Sequence, residues 1–472
     1  MAPRRPPAQP VALSPSARAA KGAGTAGLAA LGERARLLAA ARARARRRLA
    51  GSVTIALFVT AGVATWAASS GGRQVVDSRT ATRAQLEYAL PRLAPSVPLA
   101  DLSSGVVPPM PFPAKGEGAV AVMGSGVVAE SPHEAEVPIA SVTKMMTAYL
   151  VLKAHPLRGA EQGPSLRVTA AEHAAWIYAS EHDDSNVELV TGERLTERQL
   201  LEALLIPSAD NVATILARWV GGTGARFVAE MNATAASLGM AHTHYADPSG
   251  LDPRTRSTAA DQALLATVVM ANPVLRSIVA STDLPFPVMG HIWNYNPVLG
   301  VDGVVGVKSG FTDQAGGCLV AAAWEEVAGR RSLVVEVSLG QPFGLGEAGQ
   351  ADLALLAAAR RRLELLAPFG TGRTIAVVRV PWLHRSVAAS VAAPVTLVGW
   401  PGLGLSAHLV AATVTESEIR HGWGRGAVVG ELVVASRYGP VAAYPVRLDG
   451  AIAPPPAGSI VLRAPVSLGV GP

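Results

Sequence analysis

Ile139-Ala140-Ser141-Val142-Thr143-Lys144-Met145-Met146-Thr147 leads into an apolar stripe of Met145, Met146, Tyr149, Leu150 and Leu152, which predicts a helix over 141–154 with Ser141 at its start. Residues three apart on a helix share a face, so the Lys144 amine can reach the Ser141 hydroxyl. Serine is a poor nucleophile until something takes its proton. A desolvated lysine can do so, whereas a guanidinium cannot lose its own proton. The helix N-terminus adds partial positive charge beside the hydroxyl and any oxyanion formed there. The chain carries 36 arginines and five lysines, so lysine is not its generic surface cation. Two of the five, Lys144 and Lys308, sit where an amine base or anion clamp fits; Lys21, Lys115 and Lys153 have no such setting. Taken alone the pair is a weak signal. The spacing arises by chance roughly 0.3 times in a chain of this composition, and a Ser N-cap followed by a surface lysine is the bland alternative.

Working outward, 119–123 and 126–129 are short apolar runs split by Gly124-Ser125, a hairpin signal. Thr196-Glu197-Arg198-Gln199 has capping-box spacing and opens a helix through Leu205. Pro207 stops it, Ser208 follows, and a second helix is expected over 209–220, with others over 227–238 and 258–270. Strands are expected at 303–308, 318–324 and 332–338, and a helix over 351–366 closes the domain. Ser208-Ala209-Asp210-Asn211 therefore lies in the break between two helices, and Lys308-Ser309-Gly310 ends an apolar strand. After Pro368 come Val- and Ala-rich runs at 375–380, 395–398, 407–414 and 426–435, broken by Gly and Pro, with no helix expected.

The chain length implies two or three domains. The net charge of +6 is uneven: residues 1–50 hold eleven Lys and Arg against Glu33 alone, and the rest carries −4. The high pI thus belongs to an Ala/Arg/Pro/Gly-rich arm and gives no reason to expect a nucleic-acid-binding body. The arm, 1–48, reads as a disordered basic tail. Residues 49–70 contain Leu57, Phe58, Val59, Val63 and Trp66 and no charge, enough to cross a bilayer as one helix. The basic flank keeps the arm in the cytoplasm and places everything after residue 70 outside the plasma membrane. A cleavable signal ending near Ala67-Ala68-Ser69 is the rival, disfavoured by the length of its basic region. The expected layout continues with a linker at 71–114, containing a short helix near 81–90, a main domain at 115–370 and a small β-rich domain at 371–472. Lone Cys318, in an apolar run, reads as a buried structural thiol.

The ordered set Ser141-x-x-Lys144, an interhelix turn with Ser208, and Lys308-Ser309-Gly310 on a strand resembles the penicillin-recognising serine peptidases. Within that group it is most similar to the D-alanyl-D-alanine carboxypeptidases, the low-molecular-weight penicillin-binding proteins. Leu205-Ile206-Pro207-Ser208, Asp247-Pro248-Ser249-Gly250-Leu251 and Val307-Lys308-Ser309-Gly310-Phe311-Thr312 match in order and context, over about 115–367. The resemblance implies an α/β (α+β) fold of the DD-peptidase/β-lactamase type: an antiparallel sheet flanked by helices, plus an all-helical subdomain. It implies Ser141 as acyl-enzyme nucleophile, Lys144 as proton acceptor and Ser208 as proton relay to the departing amine. Lys308, with Ser309 beside it and Gly310 after it, would hold the carboxylate of a terminal D-Ala. Backbone N–H groups of Ser141 and of a residue near Phe311 or Thr312 would form the oxyanion hole. Strand 304–308 would pair with the extended substrate. Peptidoglycan stem peptides and β-lactams are the implied ligands, with no metal or other cofactor and no nucleic acid.

Two positions depart from the family pattern. Ser309 replaces the usual threonine and keeps its hydroxyl. Asp210, at a substrate-binding position, replaces the usual asparagine; a carboxylate cannot donate to a substrate carbonyl. It could instead pair with Lys144, and Asn211 lies one residue along. This leaves a second reading, a catalytically weak wall-binding or scaffolding protein. A serine β-lactamase is a third, disfavoured because Glu202-Ala203-Leu204-Leu205 is followed by Ile206 inside a packed helix. His242 and His244 share a strand face without a third ligand. Glu181-His182-Asp183-Asp184 reads as a solvated loop. Trp293 and Tyr295 either wall the substrate site or pack in the core.

Overall fold

The structure, a computed structural model, describes residues 91–181, 185–436, 438–456, 466–467 and 469–470. The basic arm, the span at 49–70, the helix expected near 81–90 and His182–Asp184 lie outside the described residues. Among those described, no single helix is long and apolar enough to cross a membrane.

Five antiparallel strands form the central sheet in the order Val304–Thr312, Gly316–Val327, Arg330–Gln341, Glu117–Val122, Gly126–Glu130. Successive side chains of a strand point to opposite faces. Cys318, Val320 and Ala322 accordingly join one core with the helical subdomain, while Leu319, Ala321 and Ala323 join another with Leu355, Leu356 and Ala359 of the helix Leu345–Arg360. Burial on both faces explains why these strands read as unbroken apolar runs rather than alternating ones.

The helical subdomain contains Lys144–Ala154, Glu197–Leu205, Asp210–Gly221, Gly224–Leu238, Ala259–Ala271 and Pro273–Val279. The capping box forms as expected: Thr196 accepts from the Gln199 N–H and the Gln199 side chain accepts from the Thr196 N–H. The nucleophile segment differs slightly, because Ala140–Thr143 is a 3-10 turn and the α-helix begins at Lys144.

Three expectations are corrected. The helix expected over 351–366 is Leu345–Arg360, and Glu364–Phe369 is a strand paired with Val395–Gly399. Leu365 faces Val398 across that pair, a tertiary partner that local periodicity does not contain. The expected linker 71–114 supplies strand Arg92–Pro95, which pairs with Thr374–Val380 and Gly469–Val470 within a seven-stranded sheet. Leu93 is fully buried in that sheet's core with Ile375, Val378 and Leu432. The β-rich region also holds a helix, Glu416–His421, capped by Thr415 and Glu418.

Candidate active site

The turn carrying Ser141 is pressed between two backbones. Gly250 has φ +91°, and a Cβ there would lie 1.8 Å from the Ala140 carbonyl oxygen. A Cβ at Gly310 would lie 2.7 Å from the Ser141 nitrogen and 3.0 Å from that of Val142. Only glycine allows the strand Val304–Thr312, at the open edge of the sheet, to approach the nucleophile this closely.

Lys144 is fully buried and its ammonium has three acceptors around it. Nζ lies 2.6 Å from Ser141 Oγ, 2.6 Å from Asp210 Oδ1 and 3.1 Å from the Ser249 carbonyl oxygen. Three donors meeting three acceptors leave none unsatisfied. Helical spacing predicts the Ser141 contact, and the change of amide to carboxylate allows the Asp210 contact without fixing it. The third was missed. Asp247-Pro248-Ser249-Gly250-Leu251 matches the family in sequence, but no side chain in it marks a role. Asp247 Oδ2 accepts from the N–H groups of Ser249, Gly250 and Leu251, which tightens the turn that aims the Ser249 carbonyl at Lys144. Pro248 is tied to the same helix, its carbonyl accepting from Thr147 Oγ1 at 2.7 Å.

The second motif delivers one group and withholds another. Ser208 is buried with a left-handed φ of +66°, a conformation that costs about 1–2 kcal/mol for a residue with a Cβ. Its Oγ finds no hydrogen-bond partner among the described residues, so it keeps a free hydroxyl between the two helices. Asn211 points away: its Nδ2 donates to the Val187 carbonyl at 2.8 Å, and its Oδ1 accepts from the Val187 N–H. The amide donor absent at position 210 is therefore not replaced by its neighbour.

Lys308 is 1% exposed and its Nζ donates to the Ser309 carbonyl at 2.7 Å. Burial, then the positive charge of Lys144, holds it well below the ordinary lysine range, while Asp210 pulls the other way. Two lysines and one carboxylate thus share a buried site, with Ser309 (4% exposed) and Gly310 beside them. The remaining candidates fall outside it. Burial pushes the Cys318 thiol up to about 12, fitting a structural role. His242 Nδ1 lies 3.8 Å from a Glu136 oxygen, and no group of three ligating side chains occurs among the described residues. Trp293 and Tyr295 are 60% and 51% exposed, so neither is a core residue.

A nucleophile–amine pair, a free hydroxyl and a buried second lysine at a sheet edge form an acyl-transfer constellation, and comparison with known proteins gives its family. Residues 118–340 match the family model for D-alanyl-D-alanine carboxypeptidase. Over 201 residues the chain is 32% identical to a D-alanyl-D-alanine carboxypeptidase of Streptomyces sp. strain K15, covering 39% of this chain and 67% of that one. The chain belongs to the D-alanyl-D-alanine carboxypeptidase family. DacB2 of Mycobacterium tuberculosis, another such carboxypeptidase, is 38% identical over 156 residues, covering 32% of this chain and 52% of that one. DacF of Bacillus subtilis is 30% identical over 39% of this chain and 47% of its own length, so the chain spans about half the length of these two relatives. Penicillin-binding protein 5 of Haemophilus influenzae shares the fold, with TM-score 0.56 at 21% identity over 74% of this chain and all of that one. All three motifs of the carboxypeptidase family fall within the matched segment 118–340.

Proposed function

We propose that this chain is a membrane-anchored serine D,D-carboxypeptidase that removes the terminal D-Ala from peptidoglycan stem peptides and is acylated by β-lactams. The observation that carries this reading is the 2.6 Å contact between Lys144 Nζ and Ser141 Oγ, in a buried site that also holds Lys308. Lys308 and the Ser309 hydroxyl hold the terminal carboxylate, and the open edge strand aligns the substrate backbone. Ser141 Oγ attacks the carbonyl carbon of the penultimate residue as Lys144 takes its proton. The N–H of Ser141 and one near Phe311 or Thr312 stabilise the oxyanion. The C–N bond then breaks, the amine receives the proton through Ser208, and water releases the acyl group from Ser141.

Anchoring rests on the uncharged run 49–70 behind eleven basic residues, which holds the N-terminus in the cytoplasm and the site outside. Fluorescent penicillin applied to membranes bearing the full chain is expected to label it, and Ser141→Ala to abolish the label. A folded wild-type chain that takes no label sinks the peptidase reading. The Asp210 carboxylate at 2.6 Å from Lys144 favours one second reading, a catalytically weak scaffolding protein, which the same failure to label would support.

A further inference from the structure

We propose that Phe311, Phe343, Glu347 and Lys115 form a subsite for the substrate side chain that precedes the acylated D-Ala. The subsite selects a long aliphatic side chain ending in both an amine and a carboxylate. The inference deepens the serine-peptidase reading above and rests on it.

Gly310 fixes where the acyl part of the substrate lies. A Cβ there would fall 2.7 Å from the Ser141 nitrogen, so the reacting carbonyl sits at that level. The carboxylate clamp, Lys308 and Ser309, precedes Gly310 along the strand, so the acyl chain runs the other way, past Phe311 and Thr312. Phe311 is the first side chain on that path, and it is 52% exposed. Successive strand residues alternate between faces, which puts Phe311 on the side opposite Lys308. Gly317 faces Phe311 in register, and Leu319, facing Ser309, packs with Leu355 of the helix Leu345–Arg360. The Phe311 ring accordingly lies on the helix side of the sheet, over Gly344 at the start of that helix. A Cβ at Gly344 would be 3.8 Å from Phe311 Cε2.

From Gly344 the surface continues into an open cavity. Phe343, the residue before it, is 83% exposed, and its N–H donates to Glu347 Oε2 at 2.9 Å. Phe343 and Glu347 line a cavity of about 400 Å³ together with Lys115 and Gln341. Gln341 Nε2 donates to the Lys115 carbonyl at 3.0 Å, which ties that segment to the end of strand Arg330–Gln341. One cavity thus has a carboxylate and an ammonium in its wall, and no ion pair joins the two among the described residues. Two exposed rings running from the reacting serine to a charged cavity mark a binding surface rather than scattered apolar exposure. Their faces suit an aliphatic stem and attract an ammonium. A side chain of several methylenes laid across Phe311 and Phe343 carries its end to the cavity, where the amine meets Glu347 and the carboxylate meets Lys115. A short side chain stops at Phe311 and gains neither contact.

The test uses the full chain in detergent and three peptides ending in D-Ala-D-Ala. They differ only in the preceding residue: alanine, lysine, or diaminopimelate, whose side-chain amine shares its carbon with a carboxylate. Wild type is expected to show a kcat/KM about tenfold higher on the lysine peptide than on the alanine peptide, mainly through KM, and higher again on diaminopimelate. Phe343→Ala is expected to lower kcat/KM about tenfold on the two long side chains and to leave the alanine peptide and penicillin acylation unchanged. Glu347→Gln keeps an acceptor for the Phe343 N–H and is expected to weaken both amine-ended peptides alike. Lys115→Met is expected to remove only the advantage of diaminopimelate over lysine. Equal losses on all three peptides in Phe343→Ala, or a wild type indifferent to the side chain, overturn the proposal. So does a side-chain preference that Phe343→Ala and Lys115→Met both leave intact. A wild type that penicillin labels but that cleaves none of the peptides overturns this substrate assignment alone. One that is inert to the peptides and unlabelled overturns the peptidase reading, and this proposal with it.

Discussion

Replacing Asp210 by asparagine separates the two things its carboxylate does. To act on Ser141, the Lys144 nitrogen must turn a lone pair to the hydroxyl while its two remaining hydrogens stay on Asp210 and the Ser249 carbonyl. Both of those groups only accept, so they orient the amine. The carboxylate also resists the step, because a hydrogen bond to an ionised partner stabilises by about 1.5–3 kcal/mol against about 0.5–1.5 for a neutral one. Asparagine keeps an accepting oxygen in the same place and gives up the difference, about 1–1.5 kcal/mol, or roughly five- to tenfold in rate. The same change leaves Lys144 and Lys308, both buried, without their shared counter-charge. Breaking a buried pair costs on the order of 3 kcal/mol. Asp210→Asn is therefore expected to acylate about five- to tenfold faster while melting at a lower temperature. Stopped-flow acylation by a fluorescent penicillin, with a thermal melt of the same sample, reads both. A folded Asp210→Asn protein that acylates more slowly than wild type refutes the reasoning, since the carboxylate would then be assisting the proton transfer.

Gly310→Ala is expected to lower penicillin acylation about 100-fold or more, because its Cβ would fall 2.7 Å from the Ser141 nitrogen; single-turnover labelling checks this. Lys308 is held below its unfolded-state value of about 10.4, so the unfolded chain binds the extra proton between those two values and stability rises with pH there. Affinity for the substrate carboxylate falls over the same window. Lys308→Met is expected to flatten the pH dependence of urea midpoints and to raise KM sharply. Burial, then Glu130 and Glu117, push Glu134 up from 4.5 to about 8. The folded state therefore holds a proton that the unfolded state has lost, and stability falls as pH rises from about 4.5 to about 8. Glu134→Gln keeps an acceptor for the Ala260 N–H and is expected to gain stability over wild type above pH 8, read from paired melts at pH 5 and 9.

Local rules carried far where the signal is short-range. The capping box at Thr196, the stop at Pro207 and the stripe after Ser141 each lie within about three helical turns, and each matches the structure to within a few residues. The rules failed where a distant partner decides. Leu363 and Leu366 fit a helical stripe, but Glu364–Phe369 meets Val395–Gly399 and becomes a strand. Arg92–Pro95 has the look of a linker until Thr374–Val380 lies beside it. In the site, Ser249 contributes through its backbone carbonyl, an atom that every residue type carries and that no residue choice can mark.

By itself the sequence determined the chemistry available: which hydroxyl, which two amines, and a carboxylate where an amide is usual. Those are properties of side chains, fixed by residue type and spacing. Only the tertiary structure decided that Asp210 meets Lys144 and Asn211 does not enter the site, that Ser208 Oγ has no partner among the described residues, and that Trp293 and Tyr295 are exposed. The first two depend on segments far apart in the chain meeting within hydrogen-bonding distance, and all of them are set by long-range packing.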